Sequence, residues 1–324
     1  VFKVIKSGLE SSIQDWPGRI GHFNKGFPPS GPMDSWSFRL ANLLVGNSSD
    51  DAGIECQFIG PELRFLEDSV IAITGADMQP KIDGKPCAMW ESILIKTGQT
   101  IEMSYATSGA RSYLAVAGGL LADVSLGSRA TFDAAGIGGV DGHALKDGQE
   151  IKSGTHRDRI FGQRLLTESR PKISTNCIWE IEVVAGPNDD WIDQEGHERF
   201  LNSEWKVSAK SNRMGMRLEG PDWTFSEKAF TKLPENGSEP ANIIDQGYPI
   251  GAINLAGQTP IILLNDGPSM GGFINPYTVP QCSMWKLGQA RPGEIFEFKV
   301  ISVSEAQEKA RQIKLLCSDK SLVR

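Results

Sequence analysis

Two matching blocks, about 195 residues apart, constrain this 324-residue chain more than any other feature. Met89-Trp90 is followed, eight residues after the tryptophan, by Gly98 and then Gln99-Thr100-Ile101-Glu102-Met103. Met284-Trp285 is followed at the same spacing by Gly293 and then Glu294-Ile295-Phe296-Glu297-Phe298. An apolar run precedes each block, at 70–74 and 260–264. One supersecondary unit occurring twice predicts two similar β-barrels, each with its own Met-Trp block.

The rest of the chain is punctuated to match. Thirty-five glycines and eighteen prolines separate short apolar runs, the pattern of a mainly β protein with many turns. Strands are expected at 70–74, 93–96, 100–105, 112–117, 179–185, 260–264 and 294–301, and Asp83-Gly84 reads as a hairpin turn. Short helices are few. One follows Pro32, with Asp34 as N-cap, Trp36, Leu40, Leu43 and Leu44 on one face, and Gly46 as the stop. A second falls between Asp189 and Asn202. A third starts at Ser304 and turns Ala306, Ala310, Ile313 and Leu316 inward, leaving a frayed tail through Lys320 and Arg324. The expected domains are 1–155 (a β-barrel with an early loop and helix 34–46), 171–303 (a second β-barrel) and 304–324 (helix and tail). A linker is placed between Ser153 and Pro171, where His156-Arg157-Asp158-Arg159 and Thr167-Glu168-Ser169-Arg170 break the apolar pattern. Residues 234–240 read as a mobile loop.

Composition excludes several classes. A net charge of −7, with no basic run interleaved by aromatics, disfavours nucleic acid and anionic membrane surfaces. No stretch approaches the roughly 20 apolar residues of a membrane span. Cys56, Cys87, Cys177, Cys282 and Cys317 are odd in number and lack a C-x-x-C pair, so they read as buried thiols in a reducing cytoplasm. The opening Val1-Phe2-Lys3-Val4-Ile5 reads as a strand, and a start at valine suggests a chain cut from something longer. His22, His143, His156 and His197 show no metal-ligand spacing, so no metal is expected.

Two segments are too unusual for plain scaffolding. The first runs from Ser12 to Asp34 and holds Gln14, Asp15 and Arg19, then Pro28-Pro29-Ser30-Gly31-Pro32-Met33-Asp34. Prolines and glycines stiffen such a loop while leaving amides to face a ligand; alternatively Asp15 and Arg19 pair and brace the turn. The second is Asn265-Asp266-Gly267-Pro268-Ser269-Met270-Gly271-Gly272-Phe273, directly after a strand. Its glycines permit close backbone approach, and successive amides suit a developing oxyanion. Nucleotide-binding glycine loops and a Gly-x-Ser-x-Gly elbow are absent. Arg213 and Arg217, beside Gly215, are either an anion site or salt-bridged surface.

Gln14-Asp15-Trp16-Pro17-Gly18-Arg19, Pro28 to Asp34 and Arg39-Leu40-Ala41-Asn42 resemble the family called allophanate hydrolase subunit 2. That family includes KipA, the C-type subunit of 5-oxoprolinase and the carboxyltransferase domain of urea carboxylase. Gly60-Pro61-Glu62-Leu63, Thr74-Gly75-Ala76-Asp77, Tyr113 to Gly119, Leu126-Gly127-Ser128-Arg129 and Arg213-Met214-Gly215 extend the resemblance over almost the whole chain. Pro17-Gly18-Arg19 and Asp266 to Gly272 look closer to urea carboxylase than to 5-oxoprolinase. The resemblance implies two cyclophilin-like β-barrels. It implies a cytoplasmic carboxyltransferase component that moves a carboxyl group from carboxybiotin to urea or a related small amide. Alternatives are the C-type subunit of an ATP-dependent 5-oxoprolinase and a non-catalytic KipA-like regulator of a KipI-like partner. The chain carries no biotin-attachment motif and no ATP-grasp segment, so carboxybiotin and ATP use are expected on partners: a subunit-1/KipI-like protein, a biotin carboxyl carrier and a biotin carboxylase. On this reading Asp15 or Asp266 orients the substrate's N–H groups. Gln14 and Arg19 hold its oxygens, and amides of Ser30-Gly31 or of Ser269, Met270, Gly271 and Gly272 receive the oxyanion, with Asp34 at the edge of the site. The early and late loops are expected to converge.

Overall fold

The computed structural model describes residues 1–155 and 160–323. The His156-Arg157-Asp158-Arg159 part of the expected linker, and Arg324, lie outside the described residues. The chain divides into two compact units. One comprises residues 1–21, 29–173 and 312–324, and the other residues 22–28 and 174–311.

The first unit is a sandwich of two sheets. The seven-stranded sheet runs, in spatial order, Leu120–Leu121, Glu150–Ser153, Phe2–Lys6, Glu62–Phe65, Thr100–Glu102, Lys81–Ile82 and Lys85–Pro86. The five-stranded sheet runs Glu10–Gln14, Gly53–Gln57, Ser108–Val116, Ser69–Asp77 and Ser92–Ile95. Phe2, Val4, Leu63, Phe65 and Ile101 from one sheet and Ile13, Ile54, Ile73 and Leu114 from the other share one buried core. Long side chains from alternate strand positions fill such a layer. Helix Ser35–Leu44 covers the outer face of the five-stranded sheet, where Phe38, Leu40 and Leu44 pack with Val70, Ala72, Tyr113 and Ala115. Its start is as expected: Asp34 Oδ1 accepts the Ser37 amide at 2.9 Å. Asp83 and Gly84, both at positive φ, make the hairpin turn between Lys81–Ile82 and Lys85–Pro86.

The second unit contains a closed seven-stranded barrel: Ile178–Ala185, Tyr277–Thr278, Ala252–Ala256, Thr259–Leu263, Gly215–Glu219, Trp205–Val207 and Ile295–Val300. An odd number of strands cannot alternate in direction around a ring, so one pair must be parallel. That pair is Ile178–Ala185 with Ile295–Val300. Helix Gln194–Asn202 delivers Phe200 to a cluster of stacked rings with Trp223, Tyr277 and Phe298, at centroid distances of 4.9, 4.6 and 4.4 Å. A separate two-stranded ribbon pairs Asn242–Gly247 with Met270–Phe273.

The fold is mainly β with short helices, as expected. Only the second of the two units closes into a barrel among the described residues; the strands of the first remain two sheets. The sequence repeat holds where glycine turns into strand: Gly98 and Gly293, both left-handed, precede Thr100–Glu102 and Ile295–Val300. It fails at the Met-Trp dipeptides. Trp90 sits at φ +61° ahead of the β-branched strand Ser92–Ile95, whereas Trp285 lies in helix Gln281–Gln289, which Pro280 initiates. The C-terminal helix, Val303–Leu316, buries Ala306, while Ala310, Ile313 and Leu316 are half-buried. The described part of the tail, through Val323, is pinned rather than frayed, because Leu166 N–H donates to Ser321 O and Val323 N–H to Arg164 O. All five cysteines are free; Cys56 and Cys282 are buried, but Cys177 is exposed, contrary to expectation. Among the described residues no helix is long and apolar enough to cross a membrane, and no group of His, Cys, Asp and Glu is placed to hold a metal ion.

Candidate functional site

Residues 12–21 and 29–34 of the early loop belong to the first unit and are held by the polar side chains that the sequence offered to a ligand. Gln14 is fully buried; its Nε2 donates to Ser12 Oγ at 2.9 Å, and its Oε1 accepts the Gly31 amide at 3.0 Å. Asp15 accepts from Ser128 Oγ at 2.5 Å and from the Arg129 amide at 2.6 Å. Arg19 donates to Ala130 O at 2.8 Å and to Ser125 O at 3.1 Å, so it braces the loop through main-chain carbonyls. The Arg19 amide meets Pro29 O at 2.7 Å, and Gly18 is required there, since a Cβ would lie 2.3 Å from that oxygen. The trans-annular bond from Gly31 to Gln14 therefore occupies an amide expected to receive an oxyanion.

Asp34 is likewise engaged inside the protein. Its carboxylate caps Ser37, and its own amide donates to Tyr113 Oη at 2.7 Å. Tyr113 Oη donates to Glu55 at 2.8 Å, and Arg111 Nε lies 3.5 Å from the other Glu55 oxygen. Burial, reinforced by the Glu55 and Asp34 charges, raises the Tyr113 phenol well above its ordinary pKa, so it serves as a fixed hydrogen-bond relay.

The late loop belongs to the second unit. Asp266 is gripped by Arg213, Nε to Oδ2 at 2.8 Å and the second amino group to Oδ1 at 3.4 Å, with both residues buried. That settles the open reading of Arg213 in favour of an ion pair, though a buried one. Met270, Gly271 and Gly272 are a strand of the ribbon rather than an open loop, and Ser269 O accepts the Tyr248 amide. Gly271 is needed by the packing itself, since a Cβ would meet the Tyr248 ring at 2.9 Å.

What remains for a ligand is a smaller and different set. Ser30, at φ +55° and 2% exposed, has a hydroxyl without a hydrogen-bond partner among the described residues, whereas the sequence pointed to its amide. The Arg129 Nε is buried without a hydrogen-bond partner among the described residues. In the second unit Asn254, 3% exposed on strand Ala252–Ala256, has a buried amide oxygen without a donor among the described residues. Sequence reasoning passed over Asn254, although a lone carboxamide inside Ala-Ile-Asn-Leu-Ala was a usable signal.

Comparison with known proteins now bears on these groups. The family described as carboxyltransferase domain, subdomain A and B, matches residues 25–300. The chain belongs to that family. Among carboxyltransferase-domain relatives, the urea amidolyase of Saccharomyces cerevisiae is 38% identical over 308 residues, covering 93% of this chain and 16% of that protein. The C-type subunit of Escherichia coli 5-oxoprolinase is 31% identical over 317 residues, covering 96% of this chain and 94% of that one. The crystal structure of Kluyveromyces lactis urea carboxylase superposes with a TM-score of 0.91 at 36% identity, covering 99% of this chain and 30% of that one. This carboxyltransferase domain thus spans a minor part of the urea-processing relatives and nearly the whole of the oxoprolinase component.

Proposed function

We propose that this domain is the carboxyltransferase component of a biotin-dependent system that carboxylates urea or a closely related small amide. The observation that carries the reading is the likeness along the whole chain to Kluyveromyces lactis urea carboxylase. When bound, carboxybiotin on a partner component supplies the carboxyl group. The residues suit such a group: a carboxylate needs donors in a water-poor setting, and the early loop holds the unengaged Ser30 hydroxyl. In the second unit the Asn254 carboxamide suits urea itself. Its oxygen accepts a substrate N–H while its amino group donates to the substrate carbonyl, fixing the plane in which one nitrogen is presented. Asp15, Gln14 and Arg19 act as positioning residues that keep Ser30 in place, and Arg213 does the same for Asp266.

The test is reconstitution with a biotin carboxylase, a biotin carrier and a subunit-1-type partner, following carboxybiotin consumption against urea, guanidine and 5-oxoproline. Urea-dependent turnover is expected. Asn254→Leu should raise KM for urea roughly 10- to 100-fold, the worth of two hydrogen bonds to a buried amide. Turnover with 5-oxoproline but not urea would overturn the reading in favour of an oxoprolinase component, the alternative favoured by the 94% coverage of the Escherichia coli protein.

A further inference from the structure

Four arginines of the described chain are more than nine-tenths buried: Arg19, Arg39, Arg111 and Arg213. Arg19 reaches two carbonyls, Arg111 reaches Glu55 and Gln57, and Arg213 reaches Asp266. Arg39, 8% exposed, reaches no acceptor among the described residues, and its Nε is fully buried without a partner. Its guanidinium carbon stands 4.4 Å from the centre of the Trp16 ring. Asp34, the N-cap of the same helix, accepts from the Ser37 amide and hydroxyl.

A guanidinium carries five donors and does not lose its proton, so burial without an acceptor is costly. The face of Trp16 offsets part of that cost and fixes the plane of the head group, but an aromatic face accepts no in-plane hydrogen bond. The edge of the fork is thus oriented by Trp16 and left unfilled. We propose that Arg39 is the receptor for a planar carboxylate, the one that the transfer reaction places on its amide substrate. One buried guanidinium balances one negative charge, which favours a carboxylate over a phosphate dianion, and the fork matches the two carboxylate oxygens. The position supports the assignment. Arg39 stands on the helix whose N-terminus is continuous with Ser30 and Gly31, and its aromatic partner lies next to Asp15. This inference rests on the carboxyltransferase reading for the identity of the ligand, though not for the existence of the receptor.

Oxamate carries an amide and a carboxylate, and oxamide is its neutral counterpart. Calorimetric titration and thermal shift of the whole chain should show saturable binding of oxamate and none of oxamide, with inorganic phosphate weaker than oxamate. Arg39→Met should weaken oxamate binding at least 10-fold while the free protein melts no lower than wild type, because an unpaired charge has been removed. Arg39→Lys, which keeps the charge and loses the fork, should weaken it several-fold, and it decides the matter if the methionine variant does not fold. The proposal is overturned if wild type ignores oxamate, if phosphate binds more tightly, or if either variant binds oxamate as wild type does. Oxamate binding that depends on Arg39, in a protein inactive with urea, would sink the urea reading and leave the receptor standing. Urea turnover with no oxamate response would do the reverse.

Discussion

Arg213 and Arg39 are equally buried, at 8% exposure each, in different units of the molecule, and they are treated in opposite ways. Arg213 grips the carboxylate of Asp266, both residues coming from segments that flank barrel strands. Arg39 has no hydrogen-bond acceptor among the described residues and lies over the flat face of Trp16. A buried charge with an internal counter-ion is part of the scaffold, because removing either partner leaves the other desolvated. A buried charge without one costs stability in the free protein and regains it when an anion arrives. The contrast teaches that loop composition does not reveal internal engagement: the carboxylates of both conspicuous loops turn out to be held by the protein.

The contrast is broken most directly at the paired site. Asp266→Ala should lower the unfolding free energy by about 3–5 kcal/mol in urea titration, and Asp266→Leu combined with Arg213→Met should recover most of that loss. A loss below about 1 kcal/mol would show that the pair is not the scaffold element described here.

A second test uses acid. Glu182, on strand Ile178–Ala185, accepts from Lys286, Lys309 and Ser283 at 2.6, 2.7 and 2.5 Å. Burial opposes its charge, but those three donors outweigh it and lower its carboxyl from 4.5 to about 2. The folded value lies below the unfolded one, so the contribution is complete above pH 4.5 and is lost as pH falls toward 2. The difference between wild type and Glu182→Gln should therefore shrink by on the order of 2 kcal/mol from pH 6 to pH 3. A difference independent of pH would remove Glu182 from the satisfied set.

The smallest effect is expected at the aromatic face. A double-mutant cycle of Trp16→Phe with Arg39→Met should give a coupling of about 0.5–1 kcal/mol. Zero coupling would mean that the ring does not hold the guanidinium.

The strands and caps were legible because their causes are local. The β-branched run at Val70 to Thr74 and the Asp34 cap specify their own conformations. The Met-Trp repeat misled because a dipeptide carries no conformation of its own; Pro280 in one copy and Ser92-Ile93-Leu94-Ile95 after the other decided the outcome. The repeat predicted closure of both halves and only the second closes, since closure depends on which strands meet at the seam. The late segment is partly strand rather than loop, and the engagement of the side chains was hidden: the partners of Asp15 lie 113 and 114 residues away, and that of Asp266 lies 53 residues away. Arg39 stood in a stretch shared with the family and Asn254 was a polar residue inside an apolar run, but neither signal can say whether a partner exists.

The backbone bonds joining Leu166 to Ser321 and Val323 to Arg164 have a consequence for synthesis. A ribosome delivers residues 164–166 long before 321–323, so this part of the first unit must wait through the emergence of the intervening barrel sequence. Until then its amide at Leu166 and carbonyl at Arg164 face water or a chaperone, and the unit is most exposed to misassembly in that interval.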